Sequence, residues 1–175
     1  MYFFKLLNLL SLTYPAKEKV KKKTTFYPTV SFIFIVKNCE SKVSNEILKL
    51  FSFSRSYKGF CEIIFVDNGS EDCTYEIGYA TLKVAFKKWP KLRVKILRQP
   101  HEVNLRNTAS LGAKAALGQI VTFILCGNLT KEDLDLKVFE LRSRNAFVFD
   151  LDDPKQIEAF GIFLKKLLTN EGILL

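Results

Sequence analysis

The 175 residues include 27 Lys and Arg against 18 Asp and Glu, a formal charge of +9, and 48% are hydrophobic, 16 residues being Phe. Such a length suits one domain and such an apolar content supports a core, which excludes a disordered or low-complexity chain. The charge is uneven: residues 1–29 hold six Lys and one Glu. An excess gathered in a tail rather than spread over a folded surface argues against a nucleic-acid-binding domain.

In chain order, the first segment is apolar from Met1 to Leu12 and then Lys-rich, with Lys17, Lys19, Lys21, Lys22 and Lys23 close together. The apolar part is too short to span a bilayer and has no basic stretch ahead of it, so it is a poor signal peptide. Two readings stand: a helix docked on its own domain, or a helix lying on an anionic membrane surface. The first is favoured, because short apolar termini usually dock on their own domain. The expected organisation is a tail over 1–29 and one domain over 30–175, divided into a half at about 30–127 and a reduced part at 128–175. The expected location is the cytoplasm, with peripheral membrane association as a variant.

Val30–Val36 is a continuous apolar run, too short for a helix and rich in β-branched and aromatic residues, and it reads as a buried strand. Helical spacing of Val43, Ile47, Leu50 and Phe51 predicts a helix from Glu40 to about Ser52. Glu62–Val66 is a second buried strand, stopped by the turn signal Asp67-Asn68-Gly69-Ser70. A helix from Asp72 to about Lys88 follows, with Ser70 or Asp72 as cap and Pro90 as stop. Arg93–Leu97 is a third strand, Asn107 to about Leu117 a small-residue helix ended by Gly118, and Ile120–Leu125 a fourth strand. Helix from about Lys131 to Arg142, strand Ala146–Phe149 and helix Pro154–Leu168 complete the pattern.

Strands buried on both faces and joined by helices imply an α/β fold with a mostly parallel sheet and helices on both sides. In such sheets ligands bind beyond the carboxyl ends of the strands, where strand order reverses. That rim is Lys37-Asn38, Asp67-Asn68, Arg98-Gln99 and Cys126-Gly127-Asn128, of mixed charge and suited to an anionic ligand with a hydrogen-bonding head group. Cys39, Cys61, Cys73 and Cys126 form no C-x-x-C pair and His101 is the single histidine, so no zinc site is expected. Four reduced, mostly buried thiols in an intracellular protein are the expectation. No G-x-G-x-x-G follows the first strand, which disfavours a plain dinucleotide-binding Rossmann domain.

Glu62-Ile-Ile-Phe-Val-Asp-Asn-Gly-Ser-Glu-Asp-Cys-Thr74 resembles the E-I-I-V-V-D-D-G-S-x-D-x-T signature of family 2 glycosyltransferases. Val30-Ser-Phe-Ile-Phe-Ile-Val-Lys-Asn38 is similar to their V-S-V-I-I-P-x-Y-N strand, and Asn104, Ser110-Leu-Gly112, Ala116-x-Gly118 and Phe123-Ile124 resemble their N-x-G…N-x-G…A-x-G…F-L run. The resemblance covers roughly 30–127 and implies a GT-A, Rossmann-like fold that binds a nucleoside-diphosphate sugar at Lys37, Asn38, Asp67, Asn68, Gly69, Ser70, Arg98 and Arg106. In the family the second acid of the turn reads the base; here Asn68 offers an amide oxygen as acceptor.

The family's D-x-D metal motif corresponds to Leu125-Cys126-Gly127, so no metal cofactor is expected. Lys37, Arg98 and Arg106 would then meet the diphosphate charge directly. Asp150, Asp152 and Asp153 are expected to cap the last helix rather than to catalyse, and no catalytic residue is assigned. The implied activity is sugar transfer to a lipid or protein acceptor. The alternative is an inactive GT-A-like domain that binds a nucleotide sugar or a protein.

Overall fold

The computed structural model describes residues 27–89, 92–129, 134 and 145–169. The Met1–Leu12 segment, the Lys17–Lys23 run, Pro90 and the helix expected at 131–142 lie outside the described residues. Those described form strands β1 (Val30–Lys37), β2 (Cys61–Asp67), β3 (Arg93–Arg98), β4 (Ile120–Gly127) and β5 (Asn145–Asp150). The helices are α1 (Glu40–Ser56), α2 (Thr74–Lys88), α3 (Leu105–Ala115) and α4 (Pro154–Thr169).

The strands make one sheet in the order β3-β2-β1-β4-β5, every pair parallel. Alternate strand residues serve the two faces, as period-2 geometry requires. Phe32, Phe34, Ile63 and Phe65 join Val43 and Ile47 of α1, Leu82 of α2 and Phe160 and Phe163 of α4 in one core. Ile33, Ile35, Ile64, Val66 and Phe123 join Leu105 and Ala109 of α3 on the opposite face. Each inner strand is thus mostly apolar on both faces because both are covered, which is why the runs read as continuous rather than alternating.

The ends of the described elements agree with the sequence reading to within two residues except the end of α1, and the shifts have local causes. Helix α1 runs on to Ser56 because Phe53 and Ser54 continue its buried stripe. Helix α3 begins at Leu105, not Asn107, because the Asn104 side chain accepts the Asn107 N–H at 2.9 Å and caps it there. It ends at Ala115 because the next residues turn to the sheet: Leu117 N donates to Glu62 Oε1 at 2.6 Å and Gly118 N to Ser31 Oγ at 2.7 Å. Glu62 Oε1 also accepts from Ser31 Oγ at 2.5 Å.

No helix among the described residues is long and apolar enough to cross a membrane.

Candidate functional site

Strand order reverses between β1 and β4, so the binding crevice of this topology opens at the ends of those strands. The β1 end is followed by Asn38 in the left-handed region at φ 48. An Asn tolerates that conformation better than most residues, and here its side chain uses it. Asn38 Oδ1 accepts the Glu71 N–H at 2.9 Å, and Asn38 N donates to Ser70 Oγ at 3.1 Å. Cys39 N donates to Thr74 Oγ1 at 2.7 Å, Glu40 N to Asp72 Oδ2 at 3.2 Å, and Cys73 N to Glu40 Oε2 at 3.0 Å. The loop after β1 and the loop after β2 are therefore one hydrogen-bonded unit.

Asp67 closes β2 and is fully buried. Its Oδ2 accepts the Ser70 N–H at 3.3 Å and lies 3.5 Å from Arg98 Nε. Its Oδ1 is buried without a hydrogen-bond partner. Arg98 is held from three sides, with its guanidinium 4.2 Å above the Tyr75 ring and Nη1 3.5 Å from Glu76 Oε1. Asp72 braces the turn from the helix side, accepting the Thr74 N–H at 3.0 Å. Burial pushes the Asp72 carboxyl up, but the bonds from Thr74 and the Glu40 N–H outweigh it and hold the group below the usual carboxylate range.

Asn68 departs from the expected base-reading role. Its Oδ1 already accepts from Thr108 Oγ1 at 2.8 Å and from Val103 N at 3.2 Å, and its Nδ2 donates to Val103 O at 2.9 Å. A carboxamide oxygen has two lone pairs and both are used. Asn68 is the clamp that ties the β3–α3 connection to the turn. Gly69, at φ +65, allows the connection to lie close: a Cβ there would meet Glu102 N and His101 C at 2.3 Å. Lys37 leans the same way and forms an ion pair with Glu102, whose side chain is 60% exposed against 13% for Lys37.

Seven of the eight sequence-selected residues are thus linked through hydrogen bonds, ion pairs and close packing. Arg106 is not: it stands exposed in the first turn of α3, with no ion pair among the described residues. Sequence reasoning missed Glu102, Val103 and Thr108, because nothing local marks a loop residue as the partner of a strand end far away in the chain.

At the β4 end the Leu125 and Cys126 side chains are buried. Gly127, at φ +96, lies against the β1 end: a Cβ would come within 1.8 Å of the Lys37 carbonyl oxygen. The hydrogen bond with Cys39 and burial push the Cys126 thiol far above its ordinary range, so it stays protonated. Asp153 Oδ1 accepts the Lys155 N–H at 3.0 Å and caps α4 as expected. Asp152 instead reaches the crevice, where Oδ2 accepts the Gly127 N–H at 2.5 Å and Oδ1 pairs with Lys42. Both its oxygens are engaged, and no group of three or more His, Cys, Asp or Glu suited to a metal occurs among the described residues. A protonated thiol and a carboxylate already held by an ammonium are each poor ligands for a hard divalent ion, which takes free oxygens.

An open, all-parallel sheet with a polar rim at its switch point is the GT-A, Rossmann-like class of nucleotide-binding α/β domain. The glycosyl transferase family 2 model matches residues 31–124, more than half of the chain, and the chain belongs to that family. Among solved structures it is similar to the mannosyltransferase PcManGT from Pyrobaculum calidifontis in complex with GDP-Man and Mn2+, at 17% identity and a TM-score of 0.44. That similarity covers 70% of this chain, which spans 33% of the length of that protein. No curated protein matches the chain in sequence.

Proposed function

We propose that this domain binds a nucleoside-diphosphate sugar at the rim formed by Lys37, Asn38 and the Asp67–Ser70 turn, and that it serves sugar transfer to a lipid or protein acceptor. The observation that carries the reading is Asp67 Oδ1, a buried carboxylate oxygen without a hydrogen-bond partner at the end of a central strand. Such an oxygen costs about 1–3 kcal/mol when unpaired, and the imino N–H of a uracil or guanine would relieve it. Reaching it takes a rearrangement of the residues around Glu102 that lie on the turn. Asp67 thereby takes the base-reading part that the resemblance assigns to Asn68. Lys37, with Arg106 from the α3 start, supplies positive charge for the diphosphate. Arg98 is spent on neutralising Asp67 and Glu76 and is a support rather than a ligand.

Two arms test the reading. In a thermal-shift panel of UDP-, GDP- and dTDP-sugars, one ligand at 100-fold its dissociation constant should stabilise the full chain by about 2.7 kcal/mol. Asp67→Ala should abolish that stabilisation while the circular dichroism stays native. Undiminished binding by the variant would remove the main support.

A second reading, a binding module without turnover, is supported by the burial of Leu125 and Cys126, at the positions to which the resemblance assigns the family's metal-binding acids. Sugar binding without release of nucleoside diphosphate in the presence of acceptor lipids and peptides would select it.

A further inference from the structure

Resting on the nucleotide-sugar reading, we infer that Glu102 is an internal competitor for the ligand's diphosphate: its carboxylate holds the Lys37 ammonium that a phosphate must take. The connection from β3 to α3 is anchored at both ends. Gln99 N donates to the Asp67 carbonyl at 2.9 Å, and Val103 exchanges two hydrogen bonds with the Asn68 side chain. Between these anchors only Pro100, His101 and Glu102 lack a backbone bond to the turn among the described contacts, and two of them rest on Gly69. Lys37 is largely enclosed, whereas Glu102 is mostly in solvent. The pair is therefore asymmetric. The cation stays at the rim, and the acid has water to return to when displaced.

The chemistry matches on both sides. A phosphate carries the same sign as the carboxylate it replaces and accepts the same ammonium donors. A phosphate that takes the Lys37 ammonium comes within a few ångströms of the Glu102 carboxylate, and the like charges repel. That repulsion favours release of the mostly solvated Glu102, and its release frees the His101–Glu102 backbone to lift from Gly69. Movement of that segment also uncovers the turn that bears Asp67, so base binding and phosphate binding are coupled through one residue. An ion pair with one partner mostly in solvent is weak, so the competition lowers affinity modestly without closing the site.

The test measures dissociation constants by isothermal titration calorimetry for UDP-glucose, GDP-mannose and dTDP-glucose. The proteins are the wild-type chain, Glu102→Gln, Lys37→Met and the double variant. Glu102→Gln keeps the shape of the side chain and removes its charge. It should tighten whichever ligand binds by about fivefold, the factor equivalent to about 1 kcal/mol. In the Lys37→Met background the same change should give no gain. Equal or weaker binding by Glu102→Gln, with the wild type binding, overturns the competition but leaves the nucleotide-sugar reading standing. A gain that persists without Lys37 also overturns it, because the effect would then be general repulsion. Absence of binding in all four proteins removes the reading itself and this inference with it.

Discussion

Several residues that carry the family resemblance work far from the rim. Ser31, Glu62, Leu117 and Gly118 meet at the amino-terminal end of the sheet, where the fully buried Glu62 carboxylate accepts from Ser31 Oγ and Leu117 N. Its other oxygen has only Arg93 Nε, at 3.6 Å. The V-S, E-I-I and A-x-G elements are therefore parts of one bracket that fixes the start of β4 against β1 and β2. Removing the acid leaves two donors unsatisfied in the interior. Glu62→Ala should lower the stability of the domain by about 3 kcal/mol, read as a lower urea midpoint at unchanged slope. Glu62→Gln, which keeps an acceptor oxygen, should lose clearly less. A variant as stable as the wild type would mean that the bracket contributes nothing to the fold.

At the scale of elements, the loops after β1 and β2 act as one body because Asn38, Glu40, Ser70, Asp72 and Thr74 bond reciprocally across them. The Asp72 carboxyl lies below the usual range in the folded chain. A depressed folded value contributes stability above the unfolded value, about 3.9, that is lost as pH falls through the folded value. Asp72→Asn removes the titration but keeps an oxygen for Thr74 N. Its stability should therefore fall less steeply than that of the wild type between about pH 4 and pH 2. Parallel stability–pH curves in urea would show that Asp72 does not couple the loops to pH. The capped start of α3 belongs to the same scale: Asn104, selected as a motif residue, acts as a helix cap.

For the whole molecule, the governing feature is the crevice at the β1–β4 reversal and what fills it. Asp152 and Lys42 join the α4 side of the crevice to the α1 side, and Gly127 is pressed against the Lys37 carbonyl. Among the described residues, charge at the rim is met by the chain's own ion pairs. Nucleotide-sugar binding should consequently be unaffected by EDTA and should weaken as salt rises, because the attraction comes from side-chain cations in partial contact with solvent. Calorimetric titrations with EDTA and with Mn2+, at two ionic strengths, check this. Restoration of EDTA-abolished binding by Mn2+ would mean that carboxylates converge on the ligand after all.

Periodicity and composition were enough for the described strands and helices. A run such as VSFIFIV, apolar at consecutive positions, can be satisfied only where both sheet faces are covered, and it is. The strand-end rule was likewise enough to select Lys37, Asn38, Asp67, Asn68 and Arg98, since residues at the carboxyl ends of parallel strands share one edge wherever they lie in the chain. The charge partners were out of reach. Glu102 and Asp152 carry no local signal, and their pairing with Lys37 and Lys42 depends on which loops the closed sheet brings over which strand ends. The same holds for Asn68, whose acceptor oxygen is legible in sequence but whose two donors arrive from α3 and its preceding loop. Sequence alone therefore determined the fold and the family. Only the tertiary structure decided which polar groups on the strand-end edge are spent on the protein itself and which, like Asp67 Oδ1, are left without a partner. Hydrogen bonds and ion pairs are made between atoms within about 3–4 Å, and that proximity is a property of the packed chain.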